Sequence, residues 1–216
     1  MTVGEPMTMN RVIHAAVRRD LGRLEEALDR AQHGDSARAS QLDRAYANLH
    51  RELQHHHESE DRIIYPYVAT IAPAEELLKV MDEEHRAMAE ALAETRSAMA
   101  AYASSASSAD ARSARDSVAR TMKVVEEHLS HEEGEFEPLV WPHLDTKDWK
   151  AVEKQTRATS AAEGGQFFAW LQDGMTEENR TFLRSAVPPP VLLVLSRVAG
   201  RAYYRDIAPA WKESVA

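Results

Sequence analysis

The chain has 216 residues, no cysteine, and a formal net charge of −9 that arises from 35 acidic and 26 basic residues. The absence of cysteine excludes thiol catalysis, iron–sulfur clusters and cysteine-rich zinc sites, so any metal must be held by histidine and carboxylate groups. The acidic balance argues against a nucleic-acid partner, because no basic surface could dominate the field around the molecule.

The first part of the chain is predicted to form two long helices joined by a short turn. Glycine and proline are scarce within stretches of 3.6-residue periodicity, and no alternating strand pattern of useful length occurs. Helix 1 is predicted over about Met9 to Gln32, ending at Gly34, and helix 2, capped by Asp35 or Ser36, extends to about Tyr67. A turn this short makes the two helices antiparallel neighbours.

A second pair of helices follows with the same arrangement. Pro73 suits the first turn of helix 3, which is predicted to end at about Tyr102. The Ala/Ser segment Ala103 to Ser108 is predicted to be a loop, and helix 4 is predicted over about Ala111 to Val140. The fold class is therefore all-α, with an up-down-up-down four-helix bundle over residues 9–142.

Residues 143–216 are predicted to form a C-terminal helical extension. Its aromatic side chains include Trp149, Phe167, Phe168, Trp170, Tyr203, Tyr204 and Trp211. Such residues usually attach helices to a core or to a partner, so the extension is expected to pack on the bundle or to form a homodimer interface. The segment Pro188 to Ala199 lacks a basic amphipathic face and is predicted to be a buried helix started by proline, without membrane contact.

One motif occurs twice: a histidine is followed four residues later by a glutamate, which is followed six residues later by a proline. The two copies are His56, Glu60 and Pro66, and His128, Glu132 and Pro138. A histidine and a glutamate four residues apart lie on one face of a helix, where both can reach one metal ion. Upstream of the copies, two further helices each carry one matching histidine, His14 and His85.

These six side chains lie within the apolar stripes of the four predicted helices. A buried glutamate is costly if it is ionised and unpaired, so two of them at matching depth need a cation, a shared proton or an arginine. Mixed nitrogen and oxygen donors suit iron or manganese and can accept zinc. The sequence therefore predicts a two-metal site, with iron as the first choice, whose ligands are His14, His56, Glu60, His85, His128 and Glu132.

Other histidines near the motifs are predicted to lie outside the site. On a helix, His55 and His57 point about 100° away from the neighbouring motif histidine, so both are expected to be partly exposed. His131 and Glu135 form a competing pair in helix 4, but this pair lacks the six-residue step from glutamate to proline.

Residues that could support the metal ligands are harder to identify from spacing alone. Metal-bound imidazoles usually donate their second N–H to a carboxylate, and the candidates nearest in sequence are Asp61, Asp82, Glu84 and Glu133. Tyr46 lies on the core stripe three turns before His56, and Tyr65 lies just after the first motif; either could approach the site, but a core position is predicted for both.

The pattern of histidine first and glutamate four residues later resembles the hemerythrin-like HHE cation-binding family over residues 9–142, and differs from the Glu-x-x-His pattern of ferritin-like proteins. The resemblance implies a non-heme di-iron centre bridged by Glu60 and Glu132 and by an oxo or hydroxo group. Oxygen-carrying hemerythrins have His-x3-His on the third helix, whereas the first of these positions is Met81 here. The remaining four-His, two-Glu set is similar to bacterial and actinobacterial members associated with repair of iron centres, peroxide or nitric oxide.

The expected function is binding or transformation of a small oxidant, O2, H2O2 or nitric oxide, in oxidative or nitrosative stress or iron homeostasis. Catalase-like peroxide decomposition and a nitric oxide reaction are both open. Two alternatives remain: an iron or oxygen sensor or store that signals through the extension, and an interaction module with structural zinc. The N-terminus lacks a signal-peptide pattern and the apolar run Val191 to Leu195 is too short to span a bilayer, so a cytoplasmic protein is expected.

Overall fold

The computed structural model describes residues 5–157 and 160–212, and these residues form only helices and turns. The helices of the bundle are α1 (Met9–Asp29), α2 (Ser36–Ser59), α3 (Tyr65–Ile71), α4 (Glu75–Ser105), α5 (Ser108–His131) and α6 (Glu137–Val140). α2 continues into α3, and α5 continues into α6, so the bundle has four helical columns. α4 packs against α2 and α5, and α1 packs against the same two helices, which closes the ring of a four-helix bundle. The all-α prediction is confirmed.

The turn between α1 and α2 forms as its sequence predicts. Asp35 caps α2, because its side chain accepts a hydrogen bond from the amide of Arg38 at 2.9 Å. Gly34 precedes it with a φ of +84°, in the left-handed region that glycine adopts without steric cost. The two helices are thereby held as close antiparallel neighbours.

The helix α4 ends later than predicted, and the connection that follows it is shorter. α4 begins at Glu75, two residues after Pro73, and it continues through Ser105. The predicted loop Ala103 to Ser108 is therefore wrong in extent: only Ala106, with a left-handed φ of 49°, and Ser107, whose side chain caps α5, separate the helices. Alanine and serine tolerate helical conformation, so a run of them marks no loop unless a capping residue ends the helix.

Each motif helix contains a π turn that the 3.6-residue periodicity does not predict. The π turns are Glu60–Ile64 and Glu132–Phe136. In each, the amide of the residue after the turn donates to the carbonyl of the motif glutamate, five residues earlier. Pro66 or Pro138 follows at once, and because proline lacks an N–H and clashes with the carbonyl four residues back, a wider turn lets the helix continue.

The extension consists of short helices that lie against the bundle. They are α7 (Lys147–Gln155), α8 (Ala161–Gln172), α9 (Glu177–Ala186), α10 (Pro189–Val194) and α11 (Arg201–Asp206). A π turn, Leu195–Ala199, follows α10 and packs closely on α8, where a Cβ added at Gly165 would lie 2.5 Å from the Cβ of Ala199. α8 also packs on α1: the indole N–H of Trp170 donates to the buried carboxylate of Asp20 at 2.8 Å.

The expectation that Pro188 to Ala199 forms a buried helix is wrong. Leu192 and Ser196 are buried, but Leu193 is 61 % exposed and Val198 is 64 % exposed. Within the described residues no single helix has the length and hydropathy to cross a membrane, and Glu177–Ala186 with Pro189–Ala199 meets that test only as a pair bent by 110°. The short apolar run therefore offers one face to the core of the extension and leaves the other uncovered.

Candidate metal centre

All six predicted ligands point into one buried region of the bundle, each from the helix that the motif assigns to it. His14 comes from α1, His56 from α2, His85 from α4 and His128 from α5, while the two glutamates open the two π turns. Their donor atoms form two groups, in each of which the ligand atoms lie within 4.8 Å of one another. The first group is His14, His56 and Glu132, and the second is His57, Glu60, His85 and His128.

The carboxylate of Glu60 lies between the two groups. Its Oε1 is 3.1 Å from Nε2 of His56, in the first group, and its Oε2 is 3.6 Å from Nε2 of His85, in the second. Each oxygen of this carboxylate is thus directed toward a different group, as a bridging carboxylate requires.

The carboxylate of Glu132 occupies the equivalent place on the other side. Its Oε2 lies 3.2 Å from Nε2 of His14 and 3.7 Å from Nε2 of His128. Its Oε1 accepts a hydrogen bond from the side-chain amide of Asn10 at 3.2 Å. Both glutamates therefore contact histidines of both groups, and the two groups are halves of one centre.

Several buried donor atoms in this region have no hydrogen-bond partner among the described residues. They are Oε2 of Glu60, Oε2 of Glu132, Nε2 of His57 and Nε2 of His128. An unsatisfied buried polar atom costs free energy, and most native structures avoid it. Four such atoms at one place, all of types that ligate metals, fit a cation that the chain is built to hold.

Three of the four predicted histidine ligands are fixed by a carboxylate on the nitrogen that faces away from the centre. Nδ1 of His14 donates to Glu133 at 2.8 Å, Nδ1 of His85 donates to Asp61 at 2.8 Å, and Nδ1 of His128 donates to Glu84 at 3.0 Å. These bonds select the tautomer that leaves Nε2 free for a metal. Asp82 does not take this part, because it pairs with Arg86 at the surface.

The charges of the centre are arranged asymmetrically when no metal is bound. Burial opposes protonation of His14, but the carboxylates of Glu132 and Glu133 raise its pKa to about 9. Burial also favours the neutral form of Glu132, yet contact with His14 keeps its pKa below the usual range. Burial and the nearby charge of Glu132 raise the pKa of Glu60 well above its ordinary value. The metal-free centre thus holds an imidazolium–carboxylate pair beside a protonated glutamic acid.

Three other histidines of the centre, His56, His57 and His128, are neutral in the metal-free protein. Burial and the neighbouring His14 lower the pKa of His56 to about 3, and burial lowers the pKa of His57 and of His128. A neutral imidazole is the form that binds a metal, so these three residues do not have to lose a proton when the metal binds.

The structure corrects the expectation for His57. This residue is 7 % exposed and lies in the second group, whereas it was predicted to be partly exposed. His55 is exposed, as expected. The competing pair lies outside the centre: Glu135 is exposed, and Nδ1 of His131 donates to Glu84. No periodic signal separates His57 from His55, since both are neighbours of the same motif histidine.

Tyr65 also lies at the centre, contrary to prediction. Its hydroxyl is 3.2 Å from Nε2 of His85. In the tautomer of His85 whose Nδ1–H donates to Asp61, Nε2 accepts and the phenol donates. Tyr65 follows Glu60 by five residues, a spacing that a π turn places on one face and an α-helix does not. Tyr46 remains a core residue as predicted, with its hydroxyl donating to the carbonyl of Leu92 at 2.6 Å.

An open surface cleft of about 420 Å³ lies beside the second group. Its lining residues are Asp61, Tyr65, Pro66, Ala69, Leu78, Lys79 and Asp82. Asp61 and Tyr65 both contact His85, so the cleft ends one side chain away from a predicted ligand.

Comparison with known proteins identifies the same region of the chain. A family model described as Hemerythrin HHE cation binding domain matches residues 9–140, which include every residue of the two groups. No curated protein and no solved structure matches the chain.

Proposed function

The chain belongs to the hemerythrin HHE cation-binding domain family, and we propose from this that its bundle holds two iron ions and binds or transforms a small oxidant, O2, H2O2 or nitric oxide. The observation that carries the proposal is the position of Glu60 and Glu132, each of which contacts histidines of both groups. Two carboxylates that span two imidazole groups suit a pair of ions and not a single one.

Iron is the proposed metal because of the donor set. Imidazole nitrogen and carboxylate oxygen without thiolate favour iron or manganese over the soft metals. When bound, iron supplies redox chemistry and coordination positions that the protein leaves open. The protein's own part is to direct Nε2 atoms toward the metal, because the carboxylates of Glu133, Asp61 and Glu84 hold the opposite ring nitrogens of three histidines.

The surroundings of the centre support a small ligand. The ligands are buried or nearly so, which favours a ligand of a few atoms over a large substrate, and a surface cleft lined by Tyr65 lies beside them. The Tyr65 hydroxyl provides one hydrogen-bond donor beside His85. Peroxide decomposition and nitric oxide binding are both compatible with this arrangement, in a protein that responds to oxidative or nitrosative stress.

The first test is metal content. Protein produced with iron available is analysed for metal per chain and then assayed with H2O2, nitric oxide and O2. Two irons per chain, with a response to at least one oxidant that is lost in His56→Ala and retained in His55→Ala, would support the proposal. One zinc per chain, or no metal, would contradict it and favour a structural role for the site.

A second function, sensing, is favoured by the contact between α1 and the extension. Asp20, which binds Trp170 of α8, lies on the same helix as His14 and six residues after it. Metal binding that shifts α1 would therefore reach α8. Limited proteolysis of the full chain with and without iron tests this: metal-dependent protection of residues 160–212, without turnover of any oxidant, is the result expected of a sensor.

A further inference from the structure

His57 is a buried histidine that the repeated motif does not use. Its Nε2 has no hydrogen-bond partner among the described residues, although the side chain lies deep in the bundle. Its ring stacks on that of His85, with centroids 4.3 Å apart and planes 24° apart, and meets the ring of His128 edge-on at 5.4 Å. A buried imidazole with an unsatisfied nitrogen among other imidazoles needs a shared partner.

The consecutive histidines His56 and His57 serve different groups because α2 packs between α1 and α4. Neighbouring residues on a helix differ in direction by about 100°. His56 is directed toward α1, where its Nε2 lies 3.3 Å from that of His14, and His57 is directed toward His85 of α4. One helix thus supplies an imidazole to each group.

The position one helical turn before His85 holds a methionine, Met81, where a histidine could have given the second group another imidazole. Met81 lies four residues before His85 and therefore on the same face of α4. Its side chain is fully buried, and a thioether is a poor ligand for iron compared with an imidazole. The helix that could carry a second imidazole for this group does not carry one.

We propose that His57 is a fifth imidazole ligand, which binds the metal ion of the second group together with Glu60, His85 and His128 and replaces the imidazole that Met81 cannot supply. The inference rests on the proposed two-metal centre. It makes the centre unequal, with three imidazoles in the second group and two in the first, His14 and His56.

The test compares His57→Asn with His55→Asn, a matched change of the exposed neighbour. Metal-free protein is titrated with Co²⁺, whose visible absorption reports ligand number and geometry, and iron per chain is measured after reconstitution. His57→Asn is expected to bind its second ion at least about 10-fold more weakly, with a changed Co²⁺ spectrum for that ion only. His55→Asn is expected to match the wild type.

A rescue experiment separates loss of a ligand from general damage to the fold. In the double variant His57→Asn, Met81→His, an imidazole returns to the second group from α4, and binding of the second ion is expected to recover. His57→Phe, which fills the same space without a donor, should keep the helical circular dichroism of the wild type and still lose the second ion.

The outcomes distinguish this inference from the proposed function. Wild-type protein that binds fewer than two ions would overturn the two-metal proposal itself. Wild-type protein with two ions, together with a His57→Asn variant that binds both with unchanged affinity and spectrum, would overturn only the assignment of His57.

Discussion

Glu60 and Glu132 occupy equivalent positions in the two halves of the repeat, yet without metal their carboxyl groups titrate in opposite directions. Contact with the imidazolium of His14 keeps the pKa of Glu132 low, although burial opposes this. Burial and the charge of Glu132 keep Glu60 protonated to unusually high pH. The sequence repeat is therefore symmetric while the metal-free electrostatics are not, because the protonated His14 lies beside Glu132.

The two glutamates should respond differently to removal of their charge. In the metal-free protein, Glu132→Gln removes one of the two carboxylates that contact the buried imidazolium of His14 and is expected to lower the free energy of unfolding by about 3 kcal/mol. Glu60→Gln replaces a neutral acid by a neutral amide of similar shape and is expected to change it by less than about 1 kcal/mol. Urea unfolding after chelation measures both.

Metal binding supplies the control for this comparison. Each variant lacks one of the two carboxylates that span the groups. Both variants should therefore bind fewer than two ions per chain, even though their metal-free stabilities differ. Equal destabilisation of the two metal-free variants would contradict the asymmetry between Glu60 and Glu132.

The stability of the metal-free protein should be greatest near pH 6.5. Burial lowers the folded-state pKa of His56, His57 and His128, so as pH falls below 6.5 the unfolded chain gains protons that the folded protein does not, and stability falls. The pKa of His14 is raised to about 9, so its contribution is complete below pH 6.5 and is lost as pH rises to 9. The raised pKa of Glu60 also makes stability fall as pH rises, as for His14, but below pH 6.5 the opposite effect of the three histidines is larger.

Thermal unfolding across pH 4 to 10 in the presence of a chelator measures this profile. Metal-loaded protein should behave differently above pH 7, because metal binding displaces protons from His14 and Glu60 and becomes more favourable as pH rises. The increase in Tm caused by iron should therefore be larger at pH 9 than at pH 7. A metal-free Tm that still rises between pH 7 and 9 would contradict the raised pKa of His14.

Glu133 should raise metal affinity through its hydrogen bond with His14, without itself binding the metal. Glu133→Gln removes the negative charge that faces Nδ1 of His14 and so holds this ring in its orientation less firmly. Loss of such a partner typically lowers metal affinity about 10–100-fold. Glu126→Gln is the matched control, since Glu126 shares Arg18 with Glu133 and makes no contact with His14. Competition with a chromophoric chelator measures both affinities, and an equal effect of the two substitutions would mean that Arg18 and not His14 transmits it.

Much of the centre can be predicted from the sequence, because the helical periodicity and the repeated motif both place the ligands on the buried faces of the helices. The six motif residues lie in apolar stripes, and the structure brings all six together. Of the carboxylates near them in sequence, Asp61, Glu84 and Glu133 contact ligand imidazoles, whereas Asp82 does not. Distance along the chain limits the candidates, but only the direction of each side chain selects among them.

Two residues of the centre, His57 and Tyr65, were not predicted, each for a different physical reason. His57 is buried because α2 has neighbours on two sides, so the covered arc is wider than a single stripe. Tyr65 reaches the centre because a π turn shifts the faces of the helix after Glu60, and a period of 3.6 residues cannot anticipate that shift. Pro66 is the local signal, because a proline within a long helical pattern indicates a change in the turn before it.

Tyr65 should affect small-ligand binding more than metal binding. In the metal-free protein its hydroxyl donates to Nε2 of His85, the atom predicted to bind metal, so metal binding there frees the phenol to donate to a small ligand. Tyr65→Phe should therefore keep two irons per chain and lower the affinity for nitric oxide or O2 by roughly 5-fold, the equivalent of one hydrogen bond of about 1 kcal/mol. The matched control is Tyr67→Phe, since Tyr67 packs against Trp149 and not against the centre. Ligand titration followed by visible absorption distinguishes the two variants. Loss of iron in Tyr65→Phe would instead mean that the phenol helps to hold the metal, and equal affinities in both variants would mean that the small ligand does not bind beside Tyr65.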